Sequence, residues 1–388
     1  MAPGMPGEHF AMNCDDCRFP FAIDANNTPK SKLAVCPNCG FAENSFGKLD
    51  PKPSQPVSLA QPHKIQRWDK VAFENPNRNA NALPPKDYLV KRVVGLSGEL
   101  IQFRDGDVLI NGELVAKPAS TNSQVSNLIF DSLFQPNSLP SRLVAESTTT
   151  RWVQQNKNWH YANNAVDSTI DWLRYQHIRG YRHREPRAIT ETIEDAYCYN
   201  QNVARKLNQV DQIHAELSFH WDADTELLVQ VTGSQFNRLD FTLRRSDGKL
   251  ICEIGDDSIE FVSADGNGER AAELTLSNYD GQFVCHLNSK PCFSRKLTAI
   301  EATDQNQDKT VSLMIGGRHG NLTLNRLRVF RDVHYFTKGE NGAGIQLDED
   351  QYFVLGDNSP ISVDSRSFGP IDRSAIFGIV TSESPEKP

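Results

Sequence analysis

The stretch that decides the fold is Tyr88-Leu89-Val90-Lys91-Arg92-Val93-Val94-Gly95-Leu96-Ser97-Gly98-Glu99. A charged pair stands here between apolar β-formers, a pattern typical of a buried strand. Most lysines in strands lie at sheet edges or extend to water. The alternative is a desolvated lysine, because burial disfavours the ammonium and leaves a neutral amine that can accept a proton. Lys91 is therefore a candidate general base.

A second stretch, Tyr352 to Pro370, reads as a strand that runs into a loop rich in Gly, Asn, Ser and Asp. Together the two stretches resemble type I signal peptidase, also called leader peptidase. That family has a Lys-Arg-Val-x-Gly-x-Pro-Gly-Asp box and a Gly-Asp-Asn-Arg-x-x-Ser-x-Asp-Ser-Arg box, which read KRVVGLSGE and GDNSPISVDSR here. Two long motifs in the right order make a stronger signal than either alone.

The resemblance implies a role for each matching residue. Lys91 matches the general base, and Ser362 matches the serine that orients the lysine amine. The other matching positions are supporting ones: Arg92 beside the base, Gly356, Asp357 and Asn358 at the strand-loop junction, and the ion pair Asp364 and Arg366.

Several positions depart from the family pattern without removing the base. Ser97 replaces a proline, Glu99 an aspartate, Ser359 an arginine, and Phe368 a tryptophan. A further stretch from Trp68 to Val71 is similar to the family's Gly-Asp-x-Val strand, with Trp68 in place of the glycine.

The family's nucleophile is a serine in a Ser-Met-x-Pro-Thr box on the N-terminal side of the lysine. This sequence begins Met1-Ala2-Pro3-Gly4, which fits Met-x-Pro with the serine immediately upstream and Gly4 where threonine is usual. We expect that the sequence as given lacks its nucleophile and the family's N-terminal membrane segment, through a late start assignment or a truncation. A diverged, inactive homologue is the alternative.

Composition and charge limit the class of partner. The formal net charge of −8 and the pI of about 5.7 do not suggest a general affinity for nucleic acid or anionic lipid. No apolar run approaches the roughly 18 residues needed to span a bilayer, and the first ten residues lack the features of a signal peptide.

Four of the eight cysteines form two matched pairs. Cys14, Cys17, Cys36 and Cys39 have the spacing C-x2-C-x18-C-x2-C, which is typical of a zinc ribbon. Two short knuckles would present four thiolates to a tetrahedral, structural zinc ion, and Gly40 suits the second knuckle. Two disulfides are the alternative, since the resemblance places the catalytic domain on the oxidising side of the membrane. A redox Cys-x-x-Cys pair is less favoured because two matched pairs are present.

The predicted fold is mainly β. It has a zinc ribbon at residues 10–45, a signal-peptidase-type β catalytic core at 64–119 and 336–382, and a β-sandwich insert at 120–335. A proline-rich linker lies between the ribbon and the core. Hairpin turns are predicted at Asp105-Gly106 and Asn111-Gly112.

The insert shows alternating apolar residues from Leu217 onwards, which predicts antiparallel strands. A phase shift between Leu322-Leu324 and Leu327-Val329 predicts a bulge. A turn at Gly316-Gly317-Arg318 and the strand after it resemble a concanavalin-like, lectin-like jelly roll. One short helix is predicted around residues 128–134. The basic-aromatic segment 172–187 is interpreted as packing against insert carboxylates rather than binding nucleic acid.

The resemblance implies a serine endopeptidase that removes signal peptides from exported preproteins by a Ser/Lys dyad. Its partners would be preprotein signal peptides, the membrane surface and, at the insert, a glycan. A spacer or a substrate-shielding module is the alternative for the insert. It would be membrane-associated, with the catalytic domain on the outer side. The rival hypothesis is a non-catalytic module that binds glycan or protein on a degenerate peptidase scaffold.

Overall fold

The computed structural model describes residues 1–54, 56–61, 64–77, 88–163, 168–178, 192–222, 225–233, 236–246, 249–254, 257–262, 271–297, 312–335 and 344–381. Within these ranges the protein is mainly β, with antiparallel pairing throughout, as predicted. Residues 179–187 of the basic-aromatic segment 172–187 lie outside the described residues. The same holds for Asp247-Gly248, where the sequence also predicts a turn, and for the polar C-terminal residues 382–388.

The cysteine-rich N-terminal part consists of two small hairpins. The strands are β1 (His9–Asn13), β2 (Pro20–Asp24), β3 (Leu33–Ala34) and β4 (Asn44–Ser45). β1 pairs with β2 and β3 pairs with β4. Each short hairpin packs few apolar residues, so this part needs a further source of stability, such as a bound metal.

The part of the chain that carries both predicted boxes forms a six-stranded sheet. Its strands are β5 (Ser58–Ala60), β6 (Lys70–Glu74), β7 (Tyr88–Gly95), β27 (Gln351–Leu355), β28 (Ile371–Asp372) and β29 (Ile376–Thr381). Their order is β28-β27-β7-β6-β29-β5. The two boxes lie on β7 and at the end of β27, which are paired neighbours. The tertiary structure thus joins two stretches that are far apart in the sequence.

A four-stranded sheet completes this region. Its strands are β8 (Leu100–Arg104), β9 (Asp107–Ile110), β10 (Glu113–Leu114) and β26 (Ile345–Gln346). Both predicted hairpin turns are confirmed: Asp105 and Gly106 have φ of 51° and 92°, and Asn111 and Gly112 have φ of 52° and 84°. Positive φ at both central residues is what a two-residue type I′ hairpin turn requires.

The six-stranded sheet has an apolar layer on each face. Along β7, Val93 and Val94 are both fully buried but belong to different core clusters. This follows from the alternation of side chains along a strand. Burial on both faces explains why β7 reads as a continuous apolar run.

The bounds of the insert strands are as follows. They are β11 (Asn127–Asp131), β12 (Leu143–Ala145), β13 (Trp152–Gln155), β14 (Asn158–Asn163), β15 (Asp171–Tyr175), β16 (Ile213–Trp221), β17 (Glu226–Gly233), β18 (Phe236–Ser246), β19 (Lys249–Ile254), β20 (Asp257–Val262), β21 (Ala271–Ser277), β22 (Gln282–Leu287), β23 (Lys290–Lys296), β24 (Ser312–Arg318) and β25 (Gly320–Arg331). The helices are α1 (Ala119–Val125), α2 (Ser365–Phe368) and the 3-10 turns Tyr279–Gly281 and Arg373–Ala375.

The insert is a sandwich of two sheets with one shared core. One sheet has the order β13-β14-β25-β16-β21-β22-β23, with β11 also paired to β25, and the other has the order β12-β15-β24-β17-β18-β19-β20. Alternate residues of both sheets, such as Leu217 and Phe219 of one and Leu227 and Val229 of the other, meet in the same cluster. This is the packing expected of a β-sandwich.

Two local predictions in the insert are wrong and one is confirmed. Residues 127–131 form β11 rather than a helix, because they pair with β25. Gly316 and Gly317 lie within β24, not in a turn; a Cβ there would come within 2.8 Å of Trp172 and 2.7 Å of Tyr161. The chain turns instead at His319 and Gly320, where φ is positive. The predicted bulge is confirmed by a register shift in β25 opposite Ser218 and Phe219.

The cysteine-rich part is fixed to the insert by polar contacts. Asn38 donates from Nδ2 to the Phe134 carbonyl at 2.8 Å and accepts from the Asp131 amide at 2.6 Å. The buried Arg142 guanidinium donates to the Asn38 carbonyl at 2.6 Å and to the Ile129 carbonyl at 2.7 Å. The second cysteine knuckle therefore sits on the edge of the sandwich.

A buried charge network joins the insert to the four-stranded sheet. The Lys117 ammonium pairs with Asp280 and, at 2.8 Å, with Asp332. Asp107 of β9 lies beside them and accepts from Gln212 Nε2 at 2.8 Å. Burial raises the pKa of Asp107 to about 7, and the neighbouring Asp332 and Asp280 act in the same direction, while Lys117 opposes them.

The raised pKa of Asp107 predicts a pH-dependent stability. Asp107 loses its proton near pH 3.8 in the unfolded chain but only near pH 7 in the folded protein. The contribution of the protonated Asp107 to stability is therefore fully present at low pH and is lost as the pH rises through about 7. We expect Asp107→Asn, which keeps the acceptor for Gln212, to raise Tm by a few degrees at pH 8 and to leave it almost unchanged at pH 4. Thermal melts of both proteins at the two pH values measure this, and an equal change at both would contradict it.

Candidate active site

Lys91 and Ser362 meet at the junction of β7 and the loop after β27. Lys91 Nζ donates to Ser362 Oγ at 2.9 Å. Burial lowers the pKa of the Lys91 ammonium, with Arg366 acting in the same direction and Asp364 opposing it. The site therefore shifts the Lys91 amine toward its neutral form and holds it by a hydroxyl.

Gly356 is the residue that lets the loop approach the lysine. A Cβ at this position would lie 2.0 Å from Ser362 Oγ, 2.7 Å from Ser362 Cβ and 3.3 Å from Lys91 Nζ. Any side chain here would push Ser362 away from the amine. The glycine is thus required by close packing of the loop and not by an unusual backbone angle.

Asp364 and Arg366 form an ion pair that closes the loop. Arg366 donates from Nε to Asp364 Oδ1 at 2.8 Å and from Nη2 to Oδ2 at 2.7 Å. Burial opposes ionisation of Asp364, but the Arg366 guanidinium holds the pKa of that carboxyl below its usual value. Asp364 also accepts from the Gly356 amide at 3.0 Å, so the pair ties the two ends of the loop together.

Arg92 and Asp357 make a second ion pair, which pattern reasoning did not assign as a pair. Arg92 Nε and Nη2 donate to the two Asp357 oxygens at 2.9 and 2.8 Å, and both side chains are almost fully buried. A third donation, from Nη1, goes to the Trp68 carbonyl at 2.9 Å. Removing one member of such a pair costs about 3–5 kcal/mol, because it leaves a buried charge alone.

The departures from the family pattern are accommodated locally. Glu99 accepts from the Leu96 amide at 2.7 Å, so the longer side chain still closes its turn. Ser359 accepts from Arg366 Nη1 at 2.9 Å. Phe368 packs against Phe73 with ring centroids 6.1 Å apart. Trp68 has φ of 77°, a left-handed conformation that glycine adopts without strain, which explains the glycine of the family pattern.

Met1 lies close to the same site. Its amino group is buried, which lowers its pKa to about 6, and its charged neighbours are Asp357, Lys91, Arg92 and Lys70. Lys70 stands opposite Arg92 on β6, and burial lowers the pKa of its ammonium as well. Sequence reasoning missed Lys70 because no motif distinguishes it from a strand-edge lysine.

The four N-terminal cysteines form a compact, buried cluster. The Cys14–Cys39 and Cys17–Cys36 sulfurs are 3.6 and 3.7 Å apart. Zinc-sulfur bonds of about 2.3 Å in a tetrahedron separate the sulfurs by about 3.8 Å, so the cluster fits a closed metal site with four cysteine ligands better than disulfides of about 2.05 Å. None of the eight cysteines, all of which lie in the described part of the chain, forms a disulfide.

The two knuckles of the cluster share one backbone pattern. The Arg18 amide donates to the Cys14 carbonyl at 3.0 Å, and the Gly40 amide donates to the Cys36 carbonyl at 3.0 Å. Arg18 and Gly40 both have positive φ, of 68° and 81°. The prediction that Gly40 forms the second knuckle is confirmed.

Comparison with known proteins gives the family. The family described as "Signal peptidase, peptidase S26" matches residues 47–169 and 279–383, which together are more than half of the chain. The chain belongs to this family. Signal peptidase I V of Bacillus subtilis (strain 168) is 39% identical over 54 residues, which are 14% of this chain and 27% of that protein. The chain thus spans about a quarter of the length of this curated relative.

Solved structures match the chain over about half of its length at low sequence identity. Bacillus licheniformis β-glucanase is 5% identical and covers 52% of this chain and 96% of its own, with a TM-score of 0.33. Lectin I-B4 of Griffonia simplicifolia is 7% identical and covers 52% and 97%, with a TM-score of 0.33. The sandwich architecture of the insert itself follows from its strand pairings. Among the described residues no helix is long and apolar enough to cross a membrane.

The contact of Gly356 with Ser362 predicts a cost for any side chain there. We expect Gly356→Ala to destabilise the protein by about 1–3 kcal/mol, as overpacked sites do. Gly47→Ala is the control, because its new Cβ would meet Lys32 at an ordinary 3.5 Å. The double variant Gly356→Ala/Ser362→Gly should recover part of the loss, since both clashing atoms are removed. Denaturant melts give the values; no recovery would contradict this account of the glycine.

The sulfur geometry predicts one zinc ion per chain. Metal analysis of purified protein should find it, and a chelator should lower Tm, because metal binding contributes folding free energy. Cys14→Ser should lower the zinc content, while Cys198→Ala, outside the cluster, should leave it unchanged. A metal-free protein with two disulfides in its peptide map would show that the cluster is an oxidised one.

Proposed function

We propose that this chain carries the catalytic core of a signal peptidase I-type serine endopeptidase that works by a Ser/Lys dyad. The observation that supports it most is the partly buried Lys91 amine, with lowered pKa, 2.9 Å from Ser362 Oγ. The neutral Lys91 amine takes the proton of a second serine, the nucleophile, as the oxygen of that serine attacks the scissile carbonyl. The resulting ammonium then returns a proton to the leaving amine, and water hydrolyses the acyl-enzyme.

The nucleophile in this proposal is a serine joined to the nitrogen of Met1. Met1 has Lys91 among the charged neighbours of its buried amino group. A residue attached to that nitrogen would start within the electrostatic reach of Lys91, Arg92 and Asp357. The match of Met1-Ala2-Pro3 to the family's nucleophile box adds support from the sequence.

The supporting residues have positioning roles in this mechanism. Ser362 orients the Lys91 amine, and Gly356 makes room for it. The Asp364–Arg366 pair holds the loop, while the Arg92–Asp357 pair holds β7 against the end of β27. The cysteine cluster would hold a structural zinc, which takes no part in cleavage of the peptide bond.

The proposed substrates are exported preproteins with small residues before the cleaved bond, as in the family. The proposed location is the outer side of a membrane, with the membrane surface and preprotein signal peptides as partners. A glycan or protein ligand for the insert is the competing function. It predicts a chain whose lysine site has no catalytic role.

Activity in a serine-extended protein tests the proposal. We expect a protein with Ser placed directly before Met1, preceded by an apolar segment, to cleave a signal-peptide substrate after a small residue. Lys91→Ala should abolish cleavage in this protein. Ser362→Ala should cost less, on the order of 10²-fold, since it orients the base and does not replace it. The cleavage rate should rise with pH, with a midpoint below the ordinary lysine pKa of 10.5, as Lys91 loses its proton.

Lys70 supplies the matched control. Its ammonium is also half-buried with a lowered pKa, but no hydrogen bond to Ser362 is seen among the described contacts, so Lys70→Ala should keep cleavage. Loss of activity in Lys70→Ala with full activity in Lys91→Ala would reverse the assignment of the base. An extended protein that fails to cleave any signal-peptide substrate, while the folded chain binds a glycan, would favour the competing function.

A further inference from the structure

Residues 195–202, here called the bridge segment, lie between the cysteine cluster and the loop after β27. That loop, residues 356–366, is here called the catalytic loop. The segment follows the insert strand β15 in sequence and precedes β16. The buried Arg331 guanidinium, at the end of β25, donates to the Asp195 and Ala196 carbonyls at 3.1 and 2.8 Å. The sandwich thus fixes the start of the bridge segment.

The middle of the bridge segment is fixed to the cysteine-rich part. Gln201 accepts from the Val35 amide at 3.0 Å and donates to the Val35 carbonyl at 3.1 Å, a two-way contact directly before Cys36. The Asp24 amide donates to the Tyr199 carbonyl at 2.9 Å. These contacts leave the neighbouring Asn200 little freedom to move.

Asn200 makes a two-way amide contact with Asn358 of the catalytic loop. Asn200 Nδ2 donates to Asn358 Oδ1 at 2.7 Å, and Asn358 Nδ2 donates to Asn200 Oδ1 at 2.9 Å. Both side chains are buried, with exposed fractions of 3% and 8%. Asn200 and Pro360 also line one small cavity. In such a dry position a lost amide partner cannot be replaced freely by water.

Asn358 in turn holds the backbone of the loop that carries Ser362. The Asn358 carbonyl accepts from the Ile361 amide at 3.3 Å and from the Ser362 amide at 3.1 Å. Ser362 then accepts from Lys91. A continuous series of contacts therefore runs from the insert to the proposed base.

We propose that Asn200 is a positioning residue for the catalytic loop: through Asn358 it sets the place of Ser362 and, through Ser362, the setting of the Lys91 amine. The inference rests on the proposed function for its catalytic meaning. It assigns to the insert a part in completing the site, because Arg366 of the catalytic part holds Ser359, whereas Asn200 of the insert holds the adjacent Asn358. The bridge segment thus has the same role for Asn358 that Arg366 has for Ser359.

Hydrogen exchange on the chain as it exists tests the positioning directly. In Asn200→Ala we expect the Ile361 and Ser362 amides to lose protection at least about 10-fold, while amides of the β16–β25 pairing keep theirs, since local opening does not need global unfolding. Water that enters the loosened loop should shift the pKa of Lys91 upwards, toward its ordinary value, because burial is the main cause of its depression. The pH dependence of Lys91 acylation, followed by mass spectrometry, measures that shift.

Two further variants separate positioning from simple stability. Asn202→Ala is the matched control, since Asn202 is exposed and bonds only to Asn27 among the described contacts, at 3.3 Å. It should change neither readout. The double variant Asn200→Ala/Asn358→Ala removes both buried amides, so its Tm should recover relative to Asn200→Ala, since no polar group is left unpaired. Its Ile361 and Ser362 exchange should stay fast, because the tie to the insert is still missing.

The outcomes distinguish this inference from the proposed function. A folded Asn200→Ala protein with unchanged exchange at 361–362 and unchanged Lys91 reactivity overturns the positioning role. A uniform increase in exchange across the whole protein overturns it too, because that is the signature of a purely structural residue. If the loop readouts change as expected while the serine-extended protein never cleaves, the positioning stands and the peptidase proposal fails.

Discussion

The proposed dyad depends on one constraint: the Lys91 amine must be partly shielded from water and yet hydrogen-bonded to Ser362. A lysine in water holds its proton at neutral pH and cannot act as a base. Burial alone would leave the amine without a fixed direction, whereas a hydroxyl at 2.9 Å gives it one. Gly356 allows the loop to come this close, since any Cβ at that position would occupy the space of Ser362 Oγ.

Two buried ion pairs supply the rigidity that this constraint needs. Arg92 with Asp357 lies on one side of the strand-loop junction, and Arg366 with Asp364 lies within the loop. Each guanidinium also donates to a backbone carbonyl, that of Trp68 for Arg92 and that of Ser359 for Arg366, so backbone oxygens help to stabilise each positive charge. Because desolvation offsets much of the attraction in such pairs, their main effect is to fix geometry rather than to add stability. The acidic partners also keep charge balanced around the lysine.

The insert and the cysteine-rich part are built into the same arrangement. Lys117 and its aspartates join the insert to the four-stranded sheet, and Arg142 joins the insert to the second cysteine knuckle. The bridge segment contacts the knuckle through Gln201 and the catalytic loop through Asn200. Polar contacts therefore connect all of these parts to one another.

The sequence alone determined the family, the mainly β class, the two type I′ turns and the four clustered cysteines, because each depends on short-range chemistry at fixed spacing. It also determined the approach of Lys91 to Ser362, but only through the resemblance. The tertiary structure decided the rest. Residues 127–131 became a strand because β25 offers a pairing edge, and Gly316-Gly317 stayed extended because Trp172 and Tyr161 fill the space where side chains would be. Lys70, the Arg92–Asp357 pair and the Asn200–Asn358 contact carry no local signal, since their partners are distant in the chain or on another strand and only the folded sheets bring them within hydrogen-bond or charge range.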